Sequence, residues 1–254
     1  MKRMFLLVLL AVFCCAGISK AQNGDTKKKA EKQKDIASVL NPLIQQANDA
    51  INAKDWQAAV GPLQQLIELD PNNWQHYSGL GDAQMHLEQY EQAAETYEHG
   101  ISTAEDYTPV DPKNPSTDPV KKKAGIGHML TMQGNCYLKL QKKKEAIADY
   151  TKAAAVNPNP ALAYFNLCAT LYNEGDKDGA ISACEKAIAA DPNKADAYFI
   201  KGSLLTASSQ TDKDGQVKAP PGTVEALKKY LELAPNGPHA KDVKDMLAYL
   251  GVKY

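Results

Sequence analysis

The side chains that most often carry out chemistry in proteins are present, but they are not arranged in a catalytic pattern. The five histidines form no His-Glu-x-x-His motif, and none stands beside an evident nucleophile. The sequence has no glycine-rich phosphate loop, and residues 22–254 contain no Cys-x-x-Cys pair. We therefore predict that the protein is not an enzyme and that it binds no cofactor.

Two Asp-Lys-Asp-Gly segments, at 176–179 and 212–215, resemble the start of a calcium-binding loop. Such a loop normally supplies a bidentate glutamate at its twelfth position, and neither segment has one. The first segment fits a turn between two helices, and the second fits the tip of a β-hairpin. No metal site is predicted.

The composition is that of a folded protein without a strong charge. The 254 residues are 44% apolar and 23% charged, and 29 basic side chains face 30 acidic ones. The single arginine, Arg3, lies in a segment that we expect to be removed. Without arginine the chain lacks the side chain best suited to bidentate contacts with phosphates or bases, so nucleic acid is not a predicted partner.

The N-terminus has the pattern of a signal peptide over residues 1–21. Lys2 and Arg3 precede a short apolar run from Met4 to Ala16, and small residues stand three and one before Gln22. An uncleaved membrane anchor is the alternative, although the apolar run is short for a membrane span. Removal of residues 1–21 leaves 26 basic and 30 acidic side chains, a net charge of −4. The protein is thus predicted to be exported, periplasmic or secreted, with a charged leader over 22–39.

The rest of the chain is periodic. Ala59 and Ala93 are 34 residues apart, as are Ala146 and Ala180, and Pro158 and Pro192. Two polar segments rich in helix breakers interrupt this period, and we treat them as insertions at 105–126 and 207–222. Between the breakers, apolar residues recur at three- and four-residue intervals, which predicts helices.

This pattern resembles the tetratricopeptide repeat family, whose units are pairs of antiparallel helices. A small residue recurs on the first helix of each pair, at Ala47, Gly81, Gly134, Cys168 and Gly202. The second helix offers a small residue at Ala59, Ala93, Ala146 and Ala180, and four positions later a larger one at Leu63, Tyr97, Tyr150, Cys184 and, in the fifth unit, Leu227. Closing prolines follow at Pro71, Pro158, Pro192 and Pro235.

The resemblance implies an all-α fold, an α-solenoid of about five helix-turn-helix units with a C-terminal capping helix. The array covers 40–236, with units at about 40–73, 74–104, 127–160, 161–194 and 195–236. The capping helix is placed at 237–254.

Cys168 and Cys184 occupy the small site and the large site of one repeat. Both side chains should then point into the seam between the two helices, where a disulfide is feasible if the Cα atoms lie within about 7 Å. Two buried free thiols are the other interpretation, since cysteine also packs as a small apolar residue. The third cysteine of residues 22–254, Cys136, is left as a lone thiol.

In this family the first helices line a concave face that binds peptide segments. The resemblance places a polar set on that face, made of Asn48, Ser78, Asp82, Thr131 and Asn135, and an apolar set made of Leu162, Phe165, Tyr172 and Phe199. One branch of the family clamps a C-terminal carboxylate with lysines, but this chain has Ile44, Ser78, Thr131, Phe165 and Phe199 at the lysine site.

Exposed aromatic residues on such a face mark a binding site for an apolar segment. Alternatively, the second insertion or the capping helix covers them. The leading hypothesis is a non-enzymatic, monomeric scaffold that holds a protein or peptide partner in the concave groove. The alternative is an adaptor in cell-envelope assembly or an accessory subunit of an exported enzyme complex.

Overall fold

The computed structural model describes residues 38–106 and 118–253. The predicted signal peptide, all but the end of the charged leader, and the proline-rich part of the first insertion lie outside the described residues. The chain divides into two compact units, Met1–Leu69 and Asp70–Tyr254.

The described residues form helices and one small hairpin. In the first unit α1 covers 38–52 and α2 covers Trp56–Leu69. The second unit contains α3 (Trp74–His86), α4 (Tyr90–Asp106), α5 (Pro119–Lys139), α6 (Lys143–Val156), α7 (Ala161–Glu174), α8 (Lys177–Ala190), α9 (Ala195–Thr206), β1 (Gln210–Thr211), β2 (Val217–Lys218), α10 (Thr223–Leu233) and α11 (Ala240–Tyr249). Among these described helices, none combines the length and hydrophobicity that a membrane span requires. The all-α solenoid is thus confirmed as the fold class.

Short polar side chains set where several helices begin. Asn73 accepts a hydrogen bond from the Gln75 amide at the start of α3, and Asp118 accepts from two amides at the start of α5. Asp176 accepts from the Gly179 amide at the start of α8. These caps satisfy amides that have no partner within the helix. The first Asp-Lys-Asp-Gly segment is therefore the cap and first turn of α8, and only Asp176 lies in the connection between α7 and α8.

The first insertion is shorter than predicted, and the second contains the predicted hairpin. The prediction extends the first insertion to residue 126, but α5 begins at Pro119, because proline is tolerated in the first turn and Asp118 caps it. The second contains a two-stranded antiparallel hairpin that pairs Gln210 with Lys218, with the second Asp-Lys-Asp-Gly segment at its tip. Its tip is held by the Asp212 carboxylate, which accepts hydrogen bonds from the amides of Asp214 and Gln216.

In the second unit a glycine of the first helix faces a large side chain of the second helix. A Cβ atom added to Gly81 would lie 2.5 Å from the Tyr97 ring, and one added to Gly134 would lie 2.7 Å from the Tyr150 ring. Both tyrosines are fully buried. Close packing of this kind requires the small residue, so the small and large sites of the repeat interlock as the sequence pattern implies.

Candidate binding groove

The first helices of the second unit form one continuous layer. Along this layer α3 contacts α5, α5 contacts α7, and α7 contacts α9. We call the surface of this layer the first-helix face; it corresponds to the face that the family resemblance describes as concave. Of the predicted groove residues, Asn48 alone belongs to the first unit, where it is exposed on α1.

Asp82 links three helices rather than standing free in the groove. Its carboxylate accepts a hydrogen bond from the Tyr97 hydroxyl at 2.6 Å and lies 3.0 Å from His128 Nε2. The hydrogen bond with Asp82 raises the pKa of His128, against the effect of burial. Burial, with the charge of Asp82, also raises the pKa of Tyr97 far above its usual value. Asp82 therefore satisfies a buried hydroxyl and fixes the position of His128 on the face.

Asn135 has the same role in the next repeat. Its Oδ1 atom accepts hydrogen bonds from the Tyr150 hydroxyl at 2.7 Å and from Asn166 Nδ2 at 3.2 Å, which ties α5 to α6 and α7. Tyr97 and Tyr150 are the large residues of their repeats, and Asp82 and Asn135 are the matching positions on the first helices. Tyrosine and a polar acceptor occur together in these two repeats, and this pairing is the sequence signal for the structural role.

The remaining polar candidates offer little to a ligand. Thr131 is buried, and its hydroxyl donates to the Gly127 carbonyl oxygen within α5, so this hydroxyl is already hydrogen-bonded. Ser78 is half-buried on α3, one turn before Asp82.

A cavity of about 580 Å³ opens between α5, α7 and the end of α8. Two predicted residues, Thr131 and Leu162, contribute to its wall, together with His128, Asn157, Asp191 and Lys194. This volume lies within the range of pockets that enclose small molecules or several side chains. A second cavity of about 330 Å³ adjoins Asn135 and is lined by Met85, Tyr90, Leu138 and Lys139.

Three of the cavity residues lie in turns between helices, outside the predicted groove set. Asn157 and Asp191 precede closing prolines and are 34 residues apart, so they are equivalent positions of consecutive repeats. Each accepts a hydrogen bond from the amide two residues later, which fixes its turn. Lys194 ends the second of these turns, and its Nζ atom lies 4.6 Å from the centre of the Phe165 ring. The period itself marks these turn positions.

The apolar set divides into exposed and packed residues. Leu162 and Tyr172 on α7 are 47% and 39% exposed. Phe165 lies between them, half-buried against the cluster that contains Cys168, Cys184 and Ile200. Leu162 and Tyr172 are thus the exposed apolar side chains of α7, and Phe165 between them is covered by Lys194.

Phe199 does not line an open groove. Its ring stacks on His239, with ring centres 3.8 Å apart, and it packs at an angle against Tyr230. The segment between α10 and α11 brings His239 over α9, and the His239 amide donates to the Tyr230 hydroxyl. For this residue the structure supports the alternative interpretation, in which the C-terminal part of the chain covers the aromatic residue.

Cys168 and Cys184 are joined in a disulfide between α7 and α8. Their Cα atoms are 5.1 Å apart, within the range that a disulfide requires. Cys136 is a buried free thiol whose pKa burial raises to about 11. Within the described part of the chain, no three His, Cys, Asp or Glu residues lie close enough together to hold a metal ion.

Comparison with known proteins places these features in a family. The sequence model described as tetratricopeptide repeat matches residues 44–103 and 131–195. No curated protein gives a significant match to the sequence.

Several solved structures share the fold. YrrB, described as a TPR protein with an unusual peptide-binding site, is 23% identical, with a TM-score of 0.56 over 80% of this chain and 91% of YrrB. MamA is 21% identical, with a TM-score of 0.57 over 80% of this chain and 94% of MamA. PilW, described as a widely conserved type IV pilus biogenesis factor, is 16% identical, with a TM-score of 0.56 over 84% of this chain and 88% of PilW. At these identities the likeness establishes the fold.

Proposed function

Because the chain belongs to the tetratricopeptide repeat family, we propose that it is a non-enzymatic scaffold that binds a segment of a partner protein on the first-helix face. One observation carries the proposal: a cavity of about 580 Å³ adjoins an exposed leucine on the helix layer that this family uses for peptides. The cavity is open, and mixed polar and apolar side chains line it.

The lining indicates what kind of segment would bind. Leu162, in the cavity wall, would contact an apolar side chain, and the half-buried Phe165 and the exposed Tyr172 extend the apolar surface along α7 outside the cavity. Asn157 and His128 offer hydrogen-bonding groups for the backbone of the bound segment. Asp191 and Lys194 carry opposite charges, so these two residues favour neither an anionic nor a cationic ligand. A short segment with one or two apolar anchors fits this arrangement.

The comparisons support a peptide ligand without identifying it. YrrB is described as having a peptide-binding site, and it shares this fold over most of both chains. YrrB, MamA and PilW are at most 23% identical to this chain, so the partner is proposed only by its chemistry.

We further propose that the scaffold acts outside the cytoplasm, in the periplasm or as a secreted protein, and that it is a monomer. The signal-peptide pattern of residues 1–21 supports export. The disulfide between Cys168 and Cys184 also supports it, since disulfides persist in oxidising compartments.

Site-specific photo-crosslinking in cells that make the protein natively would test the groove. A photoreactive amino acid would replace Leu162 or Tyr172 in two variants, and Tyr249, which is 56% exposed on α11, in a matched control. We expect the variants at 162 and 172 to crosslink to the same peptide segment of one partner, and the control at 249 not to do so. The proposal is wrong if all three positions give the same products, or if neither groove position gives any.

A further inference from the structure

A third cavity, of about 520 Å³, lies between α4, α5 and α6, away from the first-helix face. Apolar side chains form much of its wall, among them Ile101 from α4, Ile126 and Leu130 from α5, and Val156 from α6. The groove described above is built from other elements, apart from α5, so a ligand here would not depend on that groove.

The charged residues of this cavity are mostly acidic. Asp149, Glu98 and Glu105 contribute three carboxylates, and Lys152 contributes one ammonium group. One positive charge against three negative charges leaves the cavity at −2, which disfavours an anionic ligand.

Asp149 lacks the partners that a buried carboxylate normally has. Its side chain is only 8% exposed, and its Oδ2 atom is buried without a hydrogen-bond partner. Lys152 Nζ lies 4.0 Å from the other oxygen, Oδ1, and that lysine is itself 68% exposed. Burying a carboxylate with an unsatisfied oxygen is costly, so a cationic hydrogen-bond donor that reaches this carboxylate would stabilise it.

The arrangement distinguishes an organic cation from a metal ion. In the ranges 38–106 and 118–253, no three His, Cys, Asp or Glu side chains converge on one point, so these carboxylates are too dispersed to coordinate a metal. Carboxylates spread around an apolar cavity instead suit a larger cation on a carbon chain. Lysine and arginine side chains have this form, with an apolar stem and a charged end.

We propose that this cavity binds a basic side chain, lysine or arginine, of a partner protein. The stem packs between Ile101 and Leu130, and the charged end donates to the Asp149 carboxylate. The last torsion of aspartate is soft, and rotation about it exchanges two equivalent oxygens, so either oxygen can accept this hydrogen bond. This cavity and the first-helix groove are lined by different residues, so either proposal can be correct if the other is wrong.

The test is an amide NMR titration of residues 22–254 with two short peptides. The probe is acetyl-Ala-Leu-Arg-Leu-Ala-amide, and its matched control carries citrulline, which has nearly the same shape without the charge. We expect the arginine peptide to shift the amides of α4 and α6 around Asp149. It should also bind at least about tenfold more tightly than the citrulline peptide, because the citrulline peptide lacks the charge that strengthens the hydrogen bond to the carboxylate.

Matched variants locate the binding. Asp149→Asn keeps the size of the side chain and should weaken the arginine peptide at least about tenfold, with helicity unchanged. Glu105→Gln, at an exposed position, should weaken it less and keeps the test valid if Asp149→Asn fails to fold. Asp191→Asn changes a carboxylate of the other cavity and should have no effect. Absence of binding at millimolar peptide, equal binding of both peptides, or a loss with Asp191→Asn alone would each overturn the proposal.

Discussion

Cys168 and Cys184 form a disulfide at the positions that a glycine and a tyrosine occupy in the two preceding helix pairs. Gly81 with Tyr97, Gly134 with Tyr150, and Cys168 with Cys184 are each separated by 16 residues. In the first two pairs a buried ring fills the space above the glycine. In the third of these pairs a covalent bond between α7 and α8 takes the place of that ring.

We predict that the disulfide stabilises the protein in its oxidised form. Closing a loop of this length is expected to contribute about 3 kcal/mol to the free energy of unfolding. A thiol assay on the denatured, oxidised protein (residues 22–254) should detect one free thiol, Cys136. After reduction the same assay should detect three. Reductant should also lower the melting temperature of the wild type.

The double variant Cys168→Ala, Cys184→Ala provides the control, because its melting temperature should not respond to reductant. Three thiols in the unreduced, denatured wild type would show that the two cysteines are instead buried free thiols.

We predict that Gly134→Ala destabilises the second unit. The added Cβ would lie 2.7 Å from the Tyr150 ring, and the ring is fully buried and cannot move aside freely. Overpacking of this kind costs about 1–3 kcal/mol. The control is Gly61→Ala in α2, where a Cβ would meet no buried ring or other packed side chain within 4 Å. Because Pro62 follows and offsets the gain in helix propensity, we expect a change in the free energy of unfolding of less than about 1 kcal/mol. Urea denaturation of both variants measures this, and equal effects would contradict the interlock.

We predict that Asp149 makes the protein less stable as the pH rises. Burial is the main cause that raises the pKa of Asp149 from 3.8 to about 6. The folded state therefore binds a proton more tightly than the unfolded state, and the free energy of unfolding falls as the pH rises between these two values. The effect amounts to about 2–3 kcal/mol above the folded pKa. Asp149→Asn should flatten this part of the pH profile, and a profile that keeps the slope of the wild type would disprove the prediction.

His128 should affect stability at higher pH than Asp149. The hydrogen bond with Asp82 raises the pKa of His128 above its usual 6.5. The contribution of protonated His128 to the free energy of unfolding is therefore fully present below pH 6.5, the usual pKa of the unfolded state. The contribution is then lost as the pH rises through the folded pKa. Because the side chain is 42% exposed, we expect less than about 1 kcal/mol. Comparing urea denaturation of the wild type and His128→Asn at about pH 5 and about pH 8 tests this; a difference that grows with pH would contradict it.

The sequence was sufficient to predict the repeat because its small and large residues are local and periodic. Gly81 and Tyr97, or Gly134 and Tyr150, stand at fixed positions in each helix pair, and the structure places each pair in contact. The spacing also located the apolar residues of α7, of which Leu162 and Tyr172 are exposed.

The same spacing could not show which face residues were already bonded. Asp82 accepts a hydrogen bond from the Tyr97 hydroxyl because the tyrosine side chain is long enough to reach it from the neighbouring helix. A helical period gives the face on which Asp82 lies, but it does not give this contact with another helix. Phe199 is covered by His239 from a segment that has no counterpart in the other repeats, so no period predicts the contact. Lys194 and Asn157 lie in turns, outside any helical face.

The central claim is that the first-helix face binds an apolar peptide segment. Its most direct test is to select binders for residues 22–254 from a displayed random-peptide library and to measure the dissociation constant of the consensus peptide. The proteins compared are the wild type, Leu162→Asp, Tyr172→Asp and the exposed control Tyr249→Asp. We predict a consensus peptide with one or two apolar anchors. It should bind Leu162→Asp and Tyr172→Asp at least about tenfold more weakly than the wild type and bind Tyr249→Asp equally well, and all four proteins should have the same melting temperature. A consensus whose affinity is the same for all four proteins, or a selection that yields no consensus, would contradict the claim.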